Sequence, residues 1–278
     1  MNNVHRWITI SLASVSLCGA SWAATVVKRD IQGQTQDIVM EGQQVRIQTK
    51  EPNYYTLMAL DKGKVYMVDN KEKRIVEMDI VGKPPEPPRG MPQHKPKPPW
   101  GDSVKAKLVK RGNGPKIAGY STKHYQLKAL DKACSDYYFS KTAAQVDYIE
   151  AFIDASNKMV NSRKVKGMPV HPCQQAQDEL EADMKKHGVS LKLVLKGGKD
   201  HVMYEITSIQ TEVKVPASVF ALPTTGYKTI SEQDMIEEGQ AKMKEWMEKR
   251  RQSGAGSYMP PSGEGRQRGG PYQHPPPR

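Results

Sequence analysis

Apolar residues at every second position are the feature of this sequence that most restricts its fold. The alternation recurs in four segments, whose apolar positions are Val76, Met78 and Ile80; Val104, Ala106 and Leu108; Leu191, Leu193 and Leu195; and Val202, Tyr204 and Ile206. Most of the residues between them are charged or polar. A period of two places the apolar side chains on one face of a β-strand. Strands with one solvent-exposed face are typical of antiparallel sheets, so the pattern predicts an antiparallel sheet.

Short turn sequences separate the predicted strands. Three of these turns are Asp61-Lys62-Gly63, Asp69-Asn70-Lys71 and Gly197-Gly198. They connect strands predicted at Tyr54–Leu60, Lys64–Asp69, Arg74–Ile80, Ser190–Lys196 and His201–Lys214. Gly, Asn and Asp favour hairpin turns because they accept positive φ. Connections this short force neighbouring strands to pair, so we expect an antiparallel meander.

Two helices are predicted between the strands. The first begins near Thr142, which forms a capping box with Gln145 and is followed by apolar residues at helical spacing. The second runs from Pro172 to about His187. Proline suits the first position of a helix, and Gly188 is a typical residue after the last. The predicted fold class is therefore α+β, with the sheet packed around two helices.

The C-terminal part of the chain differs in composition from the rest. Residues 231–251 predict an amphipathic helix rich in methionine, which either packs against the domain or presents a soft apolar face to a partner or a membrane. Residues 252–278 are rich in Gly, Pro, Ser and Arg and predict a disordered basic tail. The segment 83–100 carries eight prolines and predicts an extended loop between two strands.

The N-terminus has the pattern of an export signal. A polar segment up to Arg6 precedes an apolar run from Trp7 to Ala20, which is too short to span a bilayer. The small-x-small sequence Ser21-Trp22-Ala23 follows it. We therefore interpret residues 1–23 as a signal peptide cleaved near Ala23, and we expect the protein to lie in the periplasm.

Two cysteines remain after such cleavage, Cys134 and Cys173. An isolated pair in an oxidising compartment most simply forms one disulfide. Because no C-x-x-C motif is present, a redox or metal-binding role is the weaker alternative. In the second predicted helix, Cys173 shares a stripe with Ala176, Leu180 and Met184, so its bond to Cys134 would attach that helix to the strand region near residues 136–140.

The net charge of the chain is +12. In an exported protein such a charge favours an anionic lipid surface or an acidic envelope protein as partner, and the export signal argues against nucleic acid. Solubility alone is the simpler explanation of the charge.

Catalytic and metal-binding motifs are missing from the sequence. Gly101-Asp102-Ser103-Val104-Lys105 lacks the second glycine of a nucleophile elbow, and Gly197-Gly198-Lys199-Asp200 lacks the spacing of a phosphate-binding loop. The histidines do not follow metal-ligand spacing, and no acidic residue lies in the middle of an apolar strand face. We therefore predict no catalytic residue, no metal and no cofactor, and an enzyme is only the third hypothesis.

Several short motifs resemble an exported family that is grouped with the Lol lipoprotein carriers. They are Tyr54–Leu60 with Lys64–Asp69, Ile117–Tyr120 with Tyr125–Leu127, and Val215–Pro223 with Gly226-Tyr227. The resemblance covers residues 24–230. It implies a curved antiparallel sheet, a half-open barrel cupped around helices, which in the carriers shelters acyl chains. No position matches the gating arginine of the carriers, and Ser121-Thr122 stands where the family often has a cysteine.

Two functions are expected from these observations. The first is a periplasmic, non-enzymatic binding module for lipid, a lipoprotein acyl chain or another hydrophobic envelope ligand. Its hypothetical apolar wall consists of Val104, Ala106, Leu108, Leu191, Leu193, Leu195, Val202, Tyr204 and Ile206. These residues form plain core instead if the helices fill the cup. The alternative function is an envelope interaction or assembly scaffold acting through the proline-rich loop, the C-terminal helix and the tail.

Overall fold

The computed structural model describes residues 21–51, 53–83, 104–164 and 170–252. These residues form an α+β fold based on a 12-stranded, mostly antiparallel sheet. The predicted signal up to residue 20, most of the proline-rich loop from residue 84 and the predicted tail from residue 253 lie outside the described residues.

The strands of the sheet are β1 (Ser21–Ile31), β2 (Gln34–Glu41), β3 (Gln44–Thr49), β4 (Tyr54–Ala59), β5 (Lys64–Asp69), β6 (Arg74–Asp79), β7 (Ala106–Asn113), β8 (Lys123–Ala129), β9 (Lys132–Ser140), β10 (Val189–Leu195), β11 (His201–Pro216) and β12 (Lys228–Ser231). Their spatial order is β12-β6-β5-β4-β3-β2-β1-β11-β10-β9-β8-β7. The sheet is open, with β12 at one edge and β7 at the other.

Two meanders make up this sheet. Strands β1 to β6 pair in sequence order, and strands β7 to β11 do the same. The pairing of β1 with β11 joins the two halves, with Val27 opposite Ile209. The antiparallel prediction is thus confirmed for these strands. One pair differs, because β12 lies parallel to β6, with Thr229 opposite Ile75.

Side-chain hydrogen bonds explain why acidic residues stand at the hairpin turns. Between β1 and β2, the backbone N–H of Gly33 donates to Asp30 Oδ1 over 2.8 Å, and Gly33 has a φ of 83°. Between β5 and β6, Asp69 Oδ1 accepts from the N–H groups of Lys71 and Glu72 over 2.8 and 2.9 Å. A short carboxylate that satisfies its own turn stabilises the tight connection.

The helices are α1 (Lys141–Ala144), α2 (Ile149–Ser162), α3 (Pro172–Glu179), α4 (Glu181–Lys185) and α5 (Glu232–Gln252). A single 3₁₀ turn follows β11 at Ala217–Phe220.

The predicted capping box at Thr142 and Gln145 is wrong. Ser140 caps α1 instead, since its Oγ accepts from the N–H of Ala143 over 3.2 Å. Tyr148 then adopts a φ of 69°, a left-handed conformation that a right-handed helix cannot include, so the long helix begins only at Ile149. The helix predicted from Pro172 to His187 is likewise two helices, which meet at Leu180.

The predicted cleavage site near Ala23 falls inside β1. The strand begins at Ser21, which lies opposite Pro216, and Ala24 lies opposite Val213. Ala24 is completely buried. Cleavage after Ala23 would therefore leave a new N-terminus at the buried end of a shortened β1, and it stays a prediction.

Helices α3 and α4 pack on the β7–β9 end of the sheet. The buried side chains there belong to Val104, Tyr125, Leu127, Ala129, Cys134, Tyr137, Phe139, Ala176 and Met184. A disulfide joins Cys134 on β9 to Cys173 on α3, as predicted. This bond attaches α3 covalently to the sheet.

Gly188 follows α4 at a close approach between two chain segments. Its φ is +95°, and a Cβ built on it would lie 2.7 Å from the carbonyl carbon of Ser140 and 2.8 Å from the Cα of Lys141. We expect Gly188→Ala to lower the free energy of unfolding by about 2–3 kcal/mol, because the left-handed conformation and the backbone overlap both penalise a side chain. Urea unfolding followed by circular dichroism measures this loss.

Gly198→Ala is the matched control, since nothing lies within 4 Å of its Cβ position and its φ lies outside the left-handed region. Its effect should stay within about 0.5 kcal/mol. Equal losses from the two variants would contradict the explanation from close approach.

The described residues divide into two compact units, with Glu232 ending the first and Gln233 beginning the second. Helix α5 contains the described residues of the second unit. Its Met243 and Met247 side chains are 57% and 47% exposed. The cavity and the polar clusters described below belong to the first unit.

Candidate functional site

A cavity of about 340 Å³ lies between the middle of the sheet and the helices of the first unit. Strands β1, β2, β9, β10 and β11 form its floor, and helices α2, α3 and α4 form the facing wall. The apolar floor residues are Val27, Ile38, Met40, Phe139, Leu191, Ile206 and Ile209. The volume lies near the lower end of the range of about 300–1,000 Å³ that is usual for ligand sites.

Helix α2 supplies the apolar side of the facing wall. Ile149, Phe152, Ile153 and Val160 line the cavity, and their spacing places them on one face of the helix. Phe152 is buried, whereas Val160 is 60% exposed. The exposure of Val160 shows that this part of the wall is open to solvent.

Two ion pairs lie on the helix side of the cavity, which Glu150 and Glu181 also line. Lys185 lies 2.9 Å from Asp154, and Lys164 lies 2.6 Å from Asp178. Both pairs link α2 or the residues after it to α3 or α4. They are partly exposed, so each contributes at most about 1 kcal/mol to stability. As a result, the carboxylates of Asp154 and Asp178 are already neutralised by lysines.

The floor carries the polar side chains of Arg29, Tyr137, Ser190 and Tyr204, and the Ser190 hydroxyl donates to the backbone carbonyl of Lys192. Arg29 Nη2 donates to Gln36 Oε1 over 2.8 Å, but its buried Nε makes no hydrogen bond within the described residues. No ion pair between described residues includes Arg29, whose pKa burial lowers from the usual value for arginine. The floor therefore holds a cation without a carboxylate partner.

The two tyrosines lie near this cation. Burial raises the pKa of Tyr137 to about 12, and the neighbouring Ser135 hydroxyl offsets only part of that rise. Tyr137 Oη makes no hydrogen bond to the rest of the described chain. Burial also raises the pKa of Tyr204, against the opposing influence of Ser190 and of the Arg29 charge. At neutral pH both phenols are thus protonated donors.

The structure divides the nine residues of the predicted wall into three groups. Leu191, Tyr204 and Ile206 line the cavity. Val104, Ala106, Leu108 and Leu193 belong to or pack against the core under α3 and α4. Leu195 and Val202, which lie near the hairpin between β10 and β11, are each 39% exposed. The helices therefore fill one end of the sheet and leave a cavity over its middle.

Sequence reasoning missed the contribution of β1 and β2. Val27, Arg29, Ile38 and Met40 all line the cavity. Val27 and Arg29 alternate on the cavity face of β1, but Arg29 is charged and the neighbouring Val26 is apolar, so the sequence shows no apolar alternation there. In β2 the alternation Ile38, Met40 was present and could have been used.

A second polar cluster surrounds Asp136, next to Tyr137 on β9. Asp136 is buried, although it lies on the polar face of β9 and not on its apolar face. It accepts from Gln126 Nε2 over 3.0 Å, and it lies 2.9 Å from Lys196 Nζ and 3.3 Å from His124 Nε2. Because neighbours in a strand point to opposite faces, this cluster lies across the sheet from the cavity.

Burial by itself raises the pKa of Asp136, but Lys196, the hydrogen bond from Gln126 and the nearby His124 ring outweigh it and hold the pKa below its usual value. The carboxylate is satisfied by its own strands, so the cluster has the character of a structural element. Within the described residues, no group of three or more His, Cys, Asp or Glu side chains is arranged to hold a metal ion.

Comparisons with known proteins give no assignment. No protein-family model matches the chain, and no curated protein matches it. Among the helices of the described residues, none is long and apolar enough to cross a membrane.

Proposed function

We propose that this chain is an exported, non-enzymatic binding protein whose cavity shelters the acyl chain of a lipid or another hydrophobic envelope ligand. The observation that carries the proposal is the apolar cavity of about 340 Å³ between the sheet and α2 to α4. A void of this size lined by Val27, Ile38, Met40 and Phe152 favours an apolar occupant, because water needs polar partners.

The architecture supports the same class of protein. An open antiparallel sheet with helices over one face is compatible with the half-open barrel of the Lol carriers that the sequence motifs resemble. The Cys134–Cys173 disulfide is consistent with an oxidising compartment, and the N-terminal pattern with export to the periplasm. Lysines on the outer strand faces suit contact with anionic lipid.

The first test fills the cavity. Ile206→Trp places a larger side chain on the floor, whereas Val202→Trp makes a comparable change on the same strand at a position that does not line the cavity. We expect Ile206→Trp to weaken binding of the neutral fluorophore N-phenyl-1-naphthylamine by at least about tenfold, since it removes the space the ligand needs. Fluorescence titration measures both dissociation constants.

Val202→Trp should bind the fluorophore within about twofold of the unmodified chain. Native mass spectrometry of protein recovered from the periplasm complements the titration, and we expect a co-purified lipid mass. The absence of both a lipid adduct and fluorophore binding would contradict the proposal. Equal binding of the fluorophore by the two tryptophan variants would contradict it as well.

A second candidate function is an envelope interaction scaffold, favoured by the exposed Met243 and Met247 of α5. Separate deletions of residues 83–100 and 252–278 test it by pull-down of envelope components. Loss of a partner from either deletion, with fluorophore binding unchanged, would support a scaffold. Full recovery from both would contradict it.

A further inference from the structure

Arg29 is a partly buried cation that forms no ion pair within the described residues. Its contacts are one hydrogen bond to the neutral amide of Gln36, while Nε is shielded from solvent and unbonded. Burying a charge is costly unless an opposite charge or several hydrogen bonds compensate it. Four carboxylates line the helix side of the cavity. Asp154, Asp178 and Glu181 lie within 4.0 Å of lysines, and no ion pair between described residues joins Glu150 to Arg29.

Strand register brings two phenols to the same part of the floor. Arg29 lies opposite Ile206, and Tyr204 precedes Ile206 by two positions and so shares its face. Tyr204 lies opposite Leu193, which in turn lies opposite Tyr137. All three polar side chains line the one cavity. Tyr137 is almost fully buried, and its Oη makes no hydrogen bond of good geometry in the described chain, although the Ser135 hydroxyl is near enough to lower its pKa.

These groups share one chemical property, because each can donate a hydrogen bond in the protonated state it holds at neutral pH. The guanidinium has only donors, and a phenol whose pKa is raised keeps its proton. An acceptor-only anion complements such a set, and a carboxylate does so with two oxygens in one plane. The apolar residues around them, Val27, Ile38 and Met40, complement a hydrocarbon chain.

We propose that the cavity binds a long-chain fatty acid as its carboxylate, with Arg29 Nε and the hydroxyls of Tyr137 and Tyr204 holding the carboxylate and the acyl chain lying along the apolar walls. This inference rests on the proposed function and narrows its ligand class to a single-chain monocarboxylate. One chain suits a cavity near the lower end of the usual volume range.

The experiment measures displacement of N-phenyl-1-naphthylamine by palmitate and by methyl palmitate at about pH 7, where a free carboxyl is ionised. The ester has the same chain without the charge. We expect palmitate to displace the fluorophore at a concentration at least about tenfold lower than the ester, because hydrogen bonds to a charged group are the stronger ones.

Three variants assign the effect to residues. Arg29→Met should weaken palmitate binding by at least about tenfold and abolish most of the preference for palmitate over the ester. Tyr137→Phe removes a single hydroxyl and should weaken palmitate by about three- to tenfold. Lys28→Gln removes a positive charge from the exposed neighbour of Arg29 and should change neither ligand, which controls for net charge.

The outcomes separate this inference from the proposed function. Fluorophore binding with equal displacement by acid and ester, unaffected by Arg29→Met and Tyr137→Phe, would overturn the fatty-acid proposal and leave an apolar binding site. If no fluorophore binds the unmodified chain, both proposals fail. If Arg29→Met does not fold, Tyr137→Phe still tests the fatty-acid proposal. Unchanged preference for palmitate over methyl palmitate in Tyr137→Phe would overturn the role of the floor donors.

Discussion

The double variant Cys134→Ala/Cys173→Ala is expected to lose about 4 kcal/mol of its free energy of unfolding. The two cysteines are 39 positions apart in sequence, and their bond closes that loop in the unfolded chain. In the chain-entropy treatment, opening a loop of this size raises the entropy of the unfolded state by an amount worth about 4 kcal/mol at room temperature.

The same change should loosen the cavity. Gln174, Gln177 and Asp178 on α3 line it, and the disulfide fixes the first turn of that helix to β9. Without the bond, α3 is held by the packing of Ala176 and its neighbours and by partly exposed polar contacts such as Lys164 with Asp178. We expect faster release of N-phenyl-1-naphthylamine from the double variant, because local opening of this wall then costs less free energy.

Urea unfolding followed by tryptophan fluorescence and circular dichroism measures the loss. Reduction of the unmodified chain by dithiothreitol is the matched control, since it opens the cross-link but keeps both side chains. The reduced chain and the double variant should lose similar amounts. A loss below about 1 kcal/mol in both would show that the tether contributes little to the stability of the fold.

Asp136→Asn is expected to lower the free energy of unfolding by about 3 kcal/mol. The substitution keeps the size of the side chain but removes the charge that Lys196 and His124 face. It also leaves Gln126 Nε2, which donates to Asp136 over 3.0 Å, without an ionised acceptor. Because Asp136 is buried, water cannot replace these contacts.

A pH dependence accompanies this loss. The pKa of Asp136 in the folded chain lies below its usual value, so the unfolded chain binds the proton more readily. The contribution of the carboxylate is therefore complete above the unfolded pKa of about 3.9 and disappears as the pH falls below it. Unfolding midpoints measured from neutral to acidic pH should show a smaller acid dependence in Asp136→Asn than in the unmodified chain.

Asp200→Asn is the control for this variant. Asp200 also pairs with Lys196, but its side chain is 57% exposed. The change should cost less than about 1 kcal/mol, as is usual for surface pairs. Equal losses from Asp136→Asn and Asp200→Asn would show that the charge on Lys196, and not the buried cluster, determines the effect.

Strand positions were predictable because alternation is a local property. The segments Tyr54–Leu60, Lys64–Asp69 and Arg74–Ile80 agree with β4, β5 and β6 to within a residue at each end. The disulfide was predictable from the predicted export and from the two cysteines that remain after signal cleavage. Helix boundaries were less predictable, because Ser140 and Thr142 are both typical N-cap residues. The left-handed backbone of Tyr148, which separates α1 from α2, is determined by the surrounding chain.

The cavity could be predicted only in part. Tyr204 and Val202 have the same place in the alternation of β11, yet Tyr204 lies in the cavity and Val202 is 39% exposed. A β-bulge lies between them, because Tyr204 is opposite Leu193 whereas Val202 is opposite Val194, the next residue of β10. The pattern within β11 does not show this bulge. Likewise, the sequence presents Arg29 as an ordinary charged residue. The register of β1 against β11 places it opposite Ile206, on the face of the sheet that lines the cavity.

The sequence by itself determined that this chain folds as an antiparallel sheet with helices and a disulfide, since periodicity, turn residues and paired cysteines act on neighbouring parts of the chain or on simple chemistry. Only the tertiary structure decided which apolar faces the helices fill and which they leave open, and that a cation lies in the opening. Those features arise from contacts between residues such as Arg29 and Tyr204, which are far apart in sequence and meet only because the two meanders join at β1 and β11.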